Sequence, residues 1–123
     1  MQNKERVWVL GASENPERYS HRAVQQLHAK GHEVVALGAR KGWVDSIPIL
    51  TDPADLPSDI DTVTLYINPQ VQKSWYNTLL NSRIKRIIFN PGTENPELAQ
   101  MATEKGIQTT EACTLVLLAT DQF

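Results

Sequence analysis

Two kinds of segment alternate along the chain. Arg6–Leu10 (RVWVL), Glu33–Leu37 (EVVAL), Thr62–Ile67 (TVTLYI) and Arg86–Phe89 (RIIF) are dense in β-branched and large apolar residues, and read as buried strands. Ile107–Thr110 reads as a last short strand. Between them, apolar residues recur at helical spacing. Ala23, Val24 and Leu27 share one face of a predicted helix over His21–Lys30, with Gly31 as its stop. Val71, Trp75 and Leu79 recur every fourth position and predict a helix from Asn68-Pro69 through about residue 81. Leu98, Met101 and Ala102 mark another, from Asn95-Pro96 to Gly106. In both, Asn caps and Pro fits the first turn, where its missing N–H costs nothing. Residues 45–60 are rich in Asp, Pro and Ser, and predict a short extended piece near Ile47–Ile49 and one helical turn near Pro53–Leu56. Ala112–Ala119 is apolar throughout, so periodicity does not separate helix from strand there.

This alternation predicts right-handed βαβ crossovers. The expected fold is α/β: a single Rossmann-like, doubly wound, mostly parallel sheet of five to six strands with helices on both faces, taking up residues 1–123 as one domain. Composition is that of an ordinary globular chain, with 41% hydrophobic and 21% charged residues. A net charge of −2 argues against binding nucleic acid by bulk electrostatics, while leaving room for a local basic pocket. The longest apolar run, Leu115–Ala119, is far too short to span a bilayer. Residues 1–6 are polar and lead straight into a strand, so no signal peptide is expected. Cys113 is the single cysteine, which rules out an internal disulfide and a cysteine-based zinc cluster. A cytoplasmic location is the expectation.

In such sheets ligands bind beyond the carboxyl ends of the strands. The segments expected there are Gly11–Ser20, Gly38–Gly42, Asn68-Pro69, Asn90–Asn95 and Glu111–Thr114. A dinucleotide fingerprint, Gly-x-Gly-x-x-Gly, would fall on Gly11, Ser13 and Pro16, so only its first glycine is present. The loop is longer than that motif, because the first good helix cap is Ser20. A diphosphate can still be held by the backbone N–H groups of Ala12, Ser13, Glu14 and Asn15, by the Ser13 hydroxyl and by the helix amino end. The plainer reading is a surface loop capped by Ser20. After the second strand, Leu37-Gly38-Ala39-Arg40-Lys41 offers no acid for a ribose diol but two cations. That suits a phosphorylated ribose, either the 2′-phosphate of NADP or the 3′-phosphate of coenzyme A; the plainer reading is a solvated charged turn. Hydride transfer needs a further structural unit to hold its substrate, whereas a pantetheine arm needs only a shallow track, which Asn68-Pro69 and Asn90-Pro91-Gly92 can line.

Other chemistry is thinner. Cys113 is positioned to exchange with a thiol but reads first as a small buried hydrophobe. Glu94 and Glu111 form a nominal acid/base pair, against capping and helix-dipole roles. His21 is a candidate donor to the first loop, against the plainer reading of a solvated helix position; Trp8, Trp75 and Tyr66 read as core, and Trp43 as a candidate to stack on adenine.

Four motifs in order, "GASENPERYS", "DTVTLYINP", "IIFNPGTEN" and "EACTLV", resemble the stand-alone CoA-binding protein family, which is similar to the amino-terminal CoA-binding domain of the succinyl-CoA synthetase α-subunit. The resemblance covers residues 5–123. It implies that Gly11, Ala12 and Ser13, with Asn15, Arg18 and Ser20 in the same loop, hold the CoA phosphates. Gly38, Arg40 and Lys41 would meet the adenosine 3′-phosphate, Ile67, Asn68 and Pro69 the adenine or pantetheine, and Asn90, Pro91 and Gly92 the rim. Many family members carry Val-Asn-Pro-Lys after the second strand; here the cation is kept and the Asn-Pro is lost, which leaves the adenosine contacts open. The expected ligand is coenzyme A or an acyl-CoA, bound by a non-catalytic module or sensor. The alternative is a small NADP-dependent reductase or an acyl-CoA-handling enzyme using Cys113 or Glu94. No nucleic acid or membrane partner is expected, and a homodimer or an unidentified protein partner stays open.

Overall fold

The computed structural model describes residues 4–123. Residues 1–3 of the polar opening stretch, on which the expectation of no signal peptide rests, lie outside the described residues. Among the described residues one sheet forms from β1 (Arg6–Leu10), β2 (Glu33–Leu37), β3 (Gly42–Val44), β4 (Ile47–Leu50), β5 (Asp59–Leu65), β6 (Arg83–Phe89) and β7 (Gln108–Glu111). The spatial order is β3-β4-β2-β1-β5-β6-β7, and every pairing is parallel except β3 with β4. The chain therefore winds outward from β1 in both directions, as a doubly wound α/β fold does. The sheet has seven strands rather than five or six. The additional strand is β3, at three residues too short for alternation to be legible. It forms because Asp45 adopts φ 53, a conformation Asp tolerates better than most residues, and turns the chain back along β4.

The helices are α1 (Tyr19–Ala29), α2 (Pro69–Gln72), α3 (Tyr76–Asn81), α4 (Pro96–Glu104) and α5 (Thr114–Ala119). Side chains alternate across the strands. Val7 and Val9 pack with Val24 and Leu27 of α1 and Leu118 of α5. Trp8 and Leu10 pack on the opposite face with Leu79 of α3 and Leu98 and Ala102 of α4. Burial of such a side chain contributes about 1.5–3 kcal/mol. The ion pairs along the amino edge of the sheet, Arg6–Glu33, Arg83–Asp59 and Lys85–Asp61, lie at the surface, where water and salt screen them, and contribute little to stability. The two apolar layers hold the fold.

Several boundaries differ from expectation. The undecided segment after β7 is the helix α5. The helix α1 begins at Tyr19, with Arg18 at the cap position and no side-chain cap; Ser20 is buried in the first turn and caps nothing. The strand β5 begins at Asp59 rather than Thr62, since Asp59 pairs with Arg83 and the Asp61 carboxylate accepts the Arg6 N–H at 2.8 Å. The helix expected over 69–81 is interrupted by a tighter turn at Lys73–Trp75, where the Ser74 hydroxyl donates to the Val71 carbonyl at 3.0 Å. No helix of the described residues is long and apolar enough to cross a membrane.

Candidate functional site

The sequence turns at Gly11 because only glycine fits there. Its φ is +103, and a Cβ would stand 3.0 Å from the Tyr66 carbonyl carbon and 3.1 Å from the Ile67 side chain. The Gly11 and Ala12 N–H groups then both donate to the Leu37 carbonyl, at 2.8 and 2.7 Å. A methyl on Gly38 would run into the Ala12 carbonyl oxygen, so the end of β2 and the first loop lie against each other.

These contacts decide which amides of the loop are left without an acceptor. Ala12, expected to offer its N–H to a phosphate, is engaged with Leu37. Asn15 is engaged as well, since its N–H donates to the Ser13 hydroxyl at 3.1 Å, while Glu17 N–H donates to Asn15 Oδ1 at 3.0 Å. The loop is built from two successive side-chain-capped turns. The N–H groups of Ser13 and Glu14, and of Tyr19 and Ser20 at the amino end of α1, have no acceptor among the described residues. His21, read as solvated, is buried instead, and its Nδ1 donates to the Ser13 carbonyl at 2.8 Å. It ties the loop to α1 from below.

Over this edge of the sheet lies a cleft of about 800 Å³, a size that suits a small-molecule ligand. Four connections line it: Gly11, Ala12, Ser13, Glu14, Arg18, Tyr19 and Ser20 after β1; Ala39, Arg40 and Lys41 after β2; Tyr66, Ile67 and Asn68 after β5; and Pro91, Gly92 and Thr93 after β6. Arg18, Arg40 and Lys41 contribute cations from two separate loops, and none of them enters an ion pair among the described residues. The cleft is therefore cationic on balance, in a chain of net charge −2.

Of the residues singled out in the sequence, Gly11, Ala12, Ser13, Arg18, Ser20, Arg40, Lys41, Ile67, Asn68, Pro91 and Gly92 are brought together here. Asn15, Gly38, Pro69 and Asn90 are not part of the lining. Asn90 is buried below it. Its Nδ2 donates to Thr64 Oγ1 at 2.7 Å and to the Leu65 carbonyl at 2.8 Å, and its Oδ1 accepts the Thr114 N–H at 2.9 Å. It fastens β5, β6 and α5 under the floor rather than forming a rim. Asn68 caps α2, its Oδ1 accepting the Val71 N–H at 2.9 Å.

The lining also includes Tyr19, Ala39, Tyr66 and Thr93, which sequence reasoning did not select, and Glu14, selected there only for its backbone N–H. Each adjoins a selected residue, and neighbourhood along the chain was the available signal. Tyr66, expected in the core, packs partly buried against the layer of Val7 and Val9, its hydroxyl buried beside Thr114 and Thr64; burial pushes that phenol up to about 12, so it stays protonated. The thinner chemical candidates fall outside the lining. Cys113 is a half-buried free thiol at the start of α5, and Glu94 accepts the Gly92 N–H at 2.8 Å and so braces its own loop. Glu111 ends β7, and Trp43 is an exposed side chain of the edge strand β3.

A crystal structure of an uncharacterized protein superimposes with a TM-score of 0.93 at 42% identity, covering 99% of this chain and 100% of that one. A protein from Thermus thermophilus is similar in fold, with a TM-score of 0.86 at 20% identity over 98% of this chain and 91% of that one. So is part of the dinucleotide-forming acetyl-coenzyme A synthetase 1 of Ca. Korarchaeum cryptofilum, with a TM-score of 0.71 at 16% identity over 87% of this chain and 25% of that one. No curated protein matches the chain. The family model described as a CoA binding domain matches residues 5–119, and the chain belongs to that family.

Proposed function

We propose that the cleft binds coenzyme A or an acyl-CoA and that the chain is a non-catalytic binding module. The observation that carries this reading is the convergence of Arg18, Arg40 and Lys41, unpaired, with the open amides of Ser13, Glu14, Tyr19 and Ser20. Amides at a helix amino end and free guanidinium groups are what a diphosphate and a phosphomonoester require. In this reading the diphosphate lies over the first loop, the ribose 3′-phosphate meets the Arg40–Lys41 turn, and the pantetheine crosses Ile67, Asn68, Pro91 and Gly92. That Cys113 and Glu94 stand outside the lining supports binding without chemistry.

Calorimetric titration with CoA, dephospho-CoA and NADP tests the assignment. CoA should bind about tenfold or more tightly than dephospho-CoA, as expected for a charge-assisted hydrogen-bonded pair. Arg40→Ala should remove most of that difference. Equal binding of the two CoA forms by the wild type rejects the role of the turn, and a preference for NADP favours a reductase.

A further inference from the structure

One carboxylate is built into this cationic cleft. Glu14 extends from the first loop to the start of β3, where its Oε2 accepts the Trp43 N–H at 3.1 Å. Gly42 makes room for it, since a methyl at that position would run into the Glu14 carboxyl group. Glu14 enters no ion pair among the described residues, although Arg40 and Lys41 line the same cleft. One of its oxygens is thus engaged, and Oε1 has no partner among the described residues. In parallel sheets of this type an acid at the end of the second strand takes ribose hydroxyls. Here β2 ends in Leu37 and continues through Gly38, Ala39, Arg40 and Lys41, without one. Glu14 brings a carboxylate to that region from a different loop.

We propose that Glu14 is a specificity-determining residue of the cleft, whose carboxylate favours a free ribose hydroxyl and weighs against a ribose phosphate. This rests on the nucleotide-binding reading given above. A hydroxyl can donate to Oε1, whereas a phosphate presents only negative oxygens to it. Two cations in the turn face one carboxylate, so the preference for the phosphorylated ribose survives but is smaller than the turn alone would give.

The test is the ratio of dephospho-CoA to CoA dissociation constants, measured by calorimetry on the wild type and on two variants. Glu14→Gln keeps an oxygen for the Trp43 N–H and removes the charge. It should raise the ratio about fivefold, the effect of one unit charge a few ångströms away in water. Gly42→Ala keeps the charge and displaces it, at a residue that does not use positive φ. It should shift the ratio in the same direction by less, and should add nothing in the Glu14→Gln background. If Glu14→Gln does not fold, Gly42→Ala alone carries the test. A ratio unchanged from wild type in the folded variants, with both ligands still bound, overturns the role of Glu14. Binding of neither ligand by the wild type removes the nucleotide reading itself, and this inference with it.

Discussion

At the scale of single residues, the polar groups under the sheet are more consequential than their exposure would imply. His32 is an example. Its Nδ1 accepts the Glu5 N–H at 3.0 Å, so its proton sits on Nε2, which is buried without a partner. The ring lies against Phe123, with centroids 5.1 Å apart. Burial holds its pKa below the ordinary 6.5; the Glu5 carboxylate opposes this, and Lys4 and Arg86 add to it. The unfolded chain therefore takes up the proton first as pH falls. Stability from this group is complete above about pH 6.5, declines as pH drops toward the folded pKa, and is level below it. Chemical denaturation midpoints should fall as pH drops below about 6.5, ahead of carboxylate protonation. His32→Gln, which can still accept the Glu5 N–H, should flatten that slope. An equally steep slope in the variant would show that another group titrates. None of this was legible in the sequence, where His32 is one more residue after a helix-stopping glycine; the Glu5 amide that reads its Nδ1 is 27 positions away.

At the scale of elements, two identical dipeptides do unequal work. Asn68-Pro69 and Asn95-Pro96 both start helices, as their chemistry predicts, and both Asn side chains cap. Asn68 is exposed. Asn95 is buried, and its Nδ2 also donates to Gln72 Oε1 and to the Tyr76 hydroxyl, each at 2.9 Å. Gln72 in turn donates to the Ile67 and Thr93 carbonyls, both at 2.8 Å, so one network joins α2, α4 and two of the cleft loops. Asn68→Ala should cost about 1 kcal/mol, the loss of a cap. Asn95→Ala should cost about 2–4 kcal/mol, because it also strands the buried Gln72 oxygen. Urea denaturation of the two variants compares them, and equal costs would mean the network adds nothing. The strong periodic segments were correctly typed from sequence for the reason the caps were: both signals are local. Boundaries failed where a partner strand or a competing hydroxyl intervened, as at Asp59 and Ser74.

At the scale of the whole molecule, the two ends of the sheet differ in how their charges are spent. The amino end also carries a cleft, of about 730 Å³, but its Arg6, Arg83 and Lys85 are neutralised by Glu33, Asp59 and Asp61. At the carboxyl end Arg18, Arg40 and Lys41 enter no ion pair among the described residues, and the single carboxylate of the cleft, Glu14, leaves it cationic, so an anion there meets net positive charge. A ligand that joins loops from four separate connections must stabilise the folded state by mass action. At about 100 times its dissociation constant, CoA should add about 2.7 kcal/mol and raise Tm by about 10 °C. Arg40→Ala should shrink the rise at the same concentration. Scanning fluorimetry reads both, and no rise where calorimetry shows saturation would contradict binding to the native fold alone.

The order of strands and helices, the α/β class, the placing of Gly11 and the basic turn after β2 were determined by the sequence itself, because hydrophobic period and turn chemistry act over a few residues. The three-residue strand β3, the burial of Asn90 and His21, and the loss of Ala12 and Asn15 as free amides were decided only in the folded chain. So was the meeting of Glu14 with Trp43, across 29 positions. Each depends on which hydrogen-bond partners the doubly wound topology brings into reach, and separation along the chain carries no trace of that.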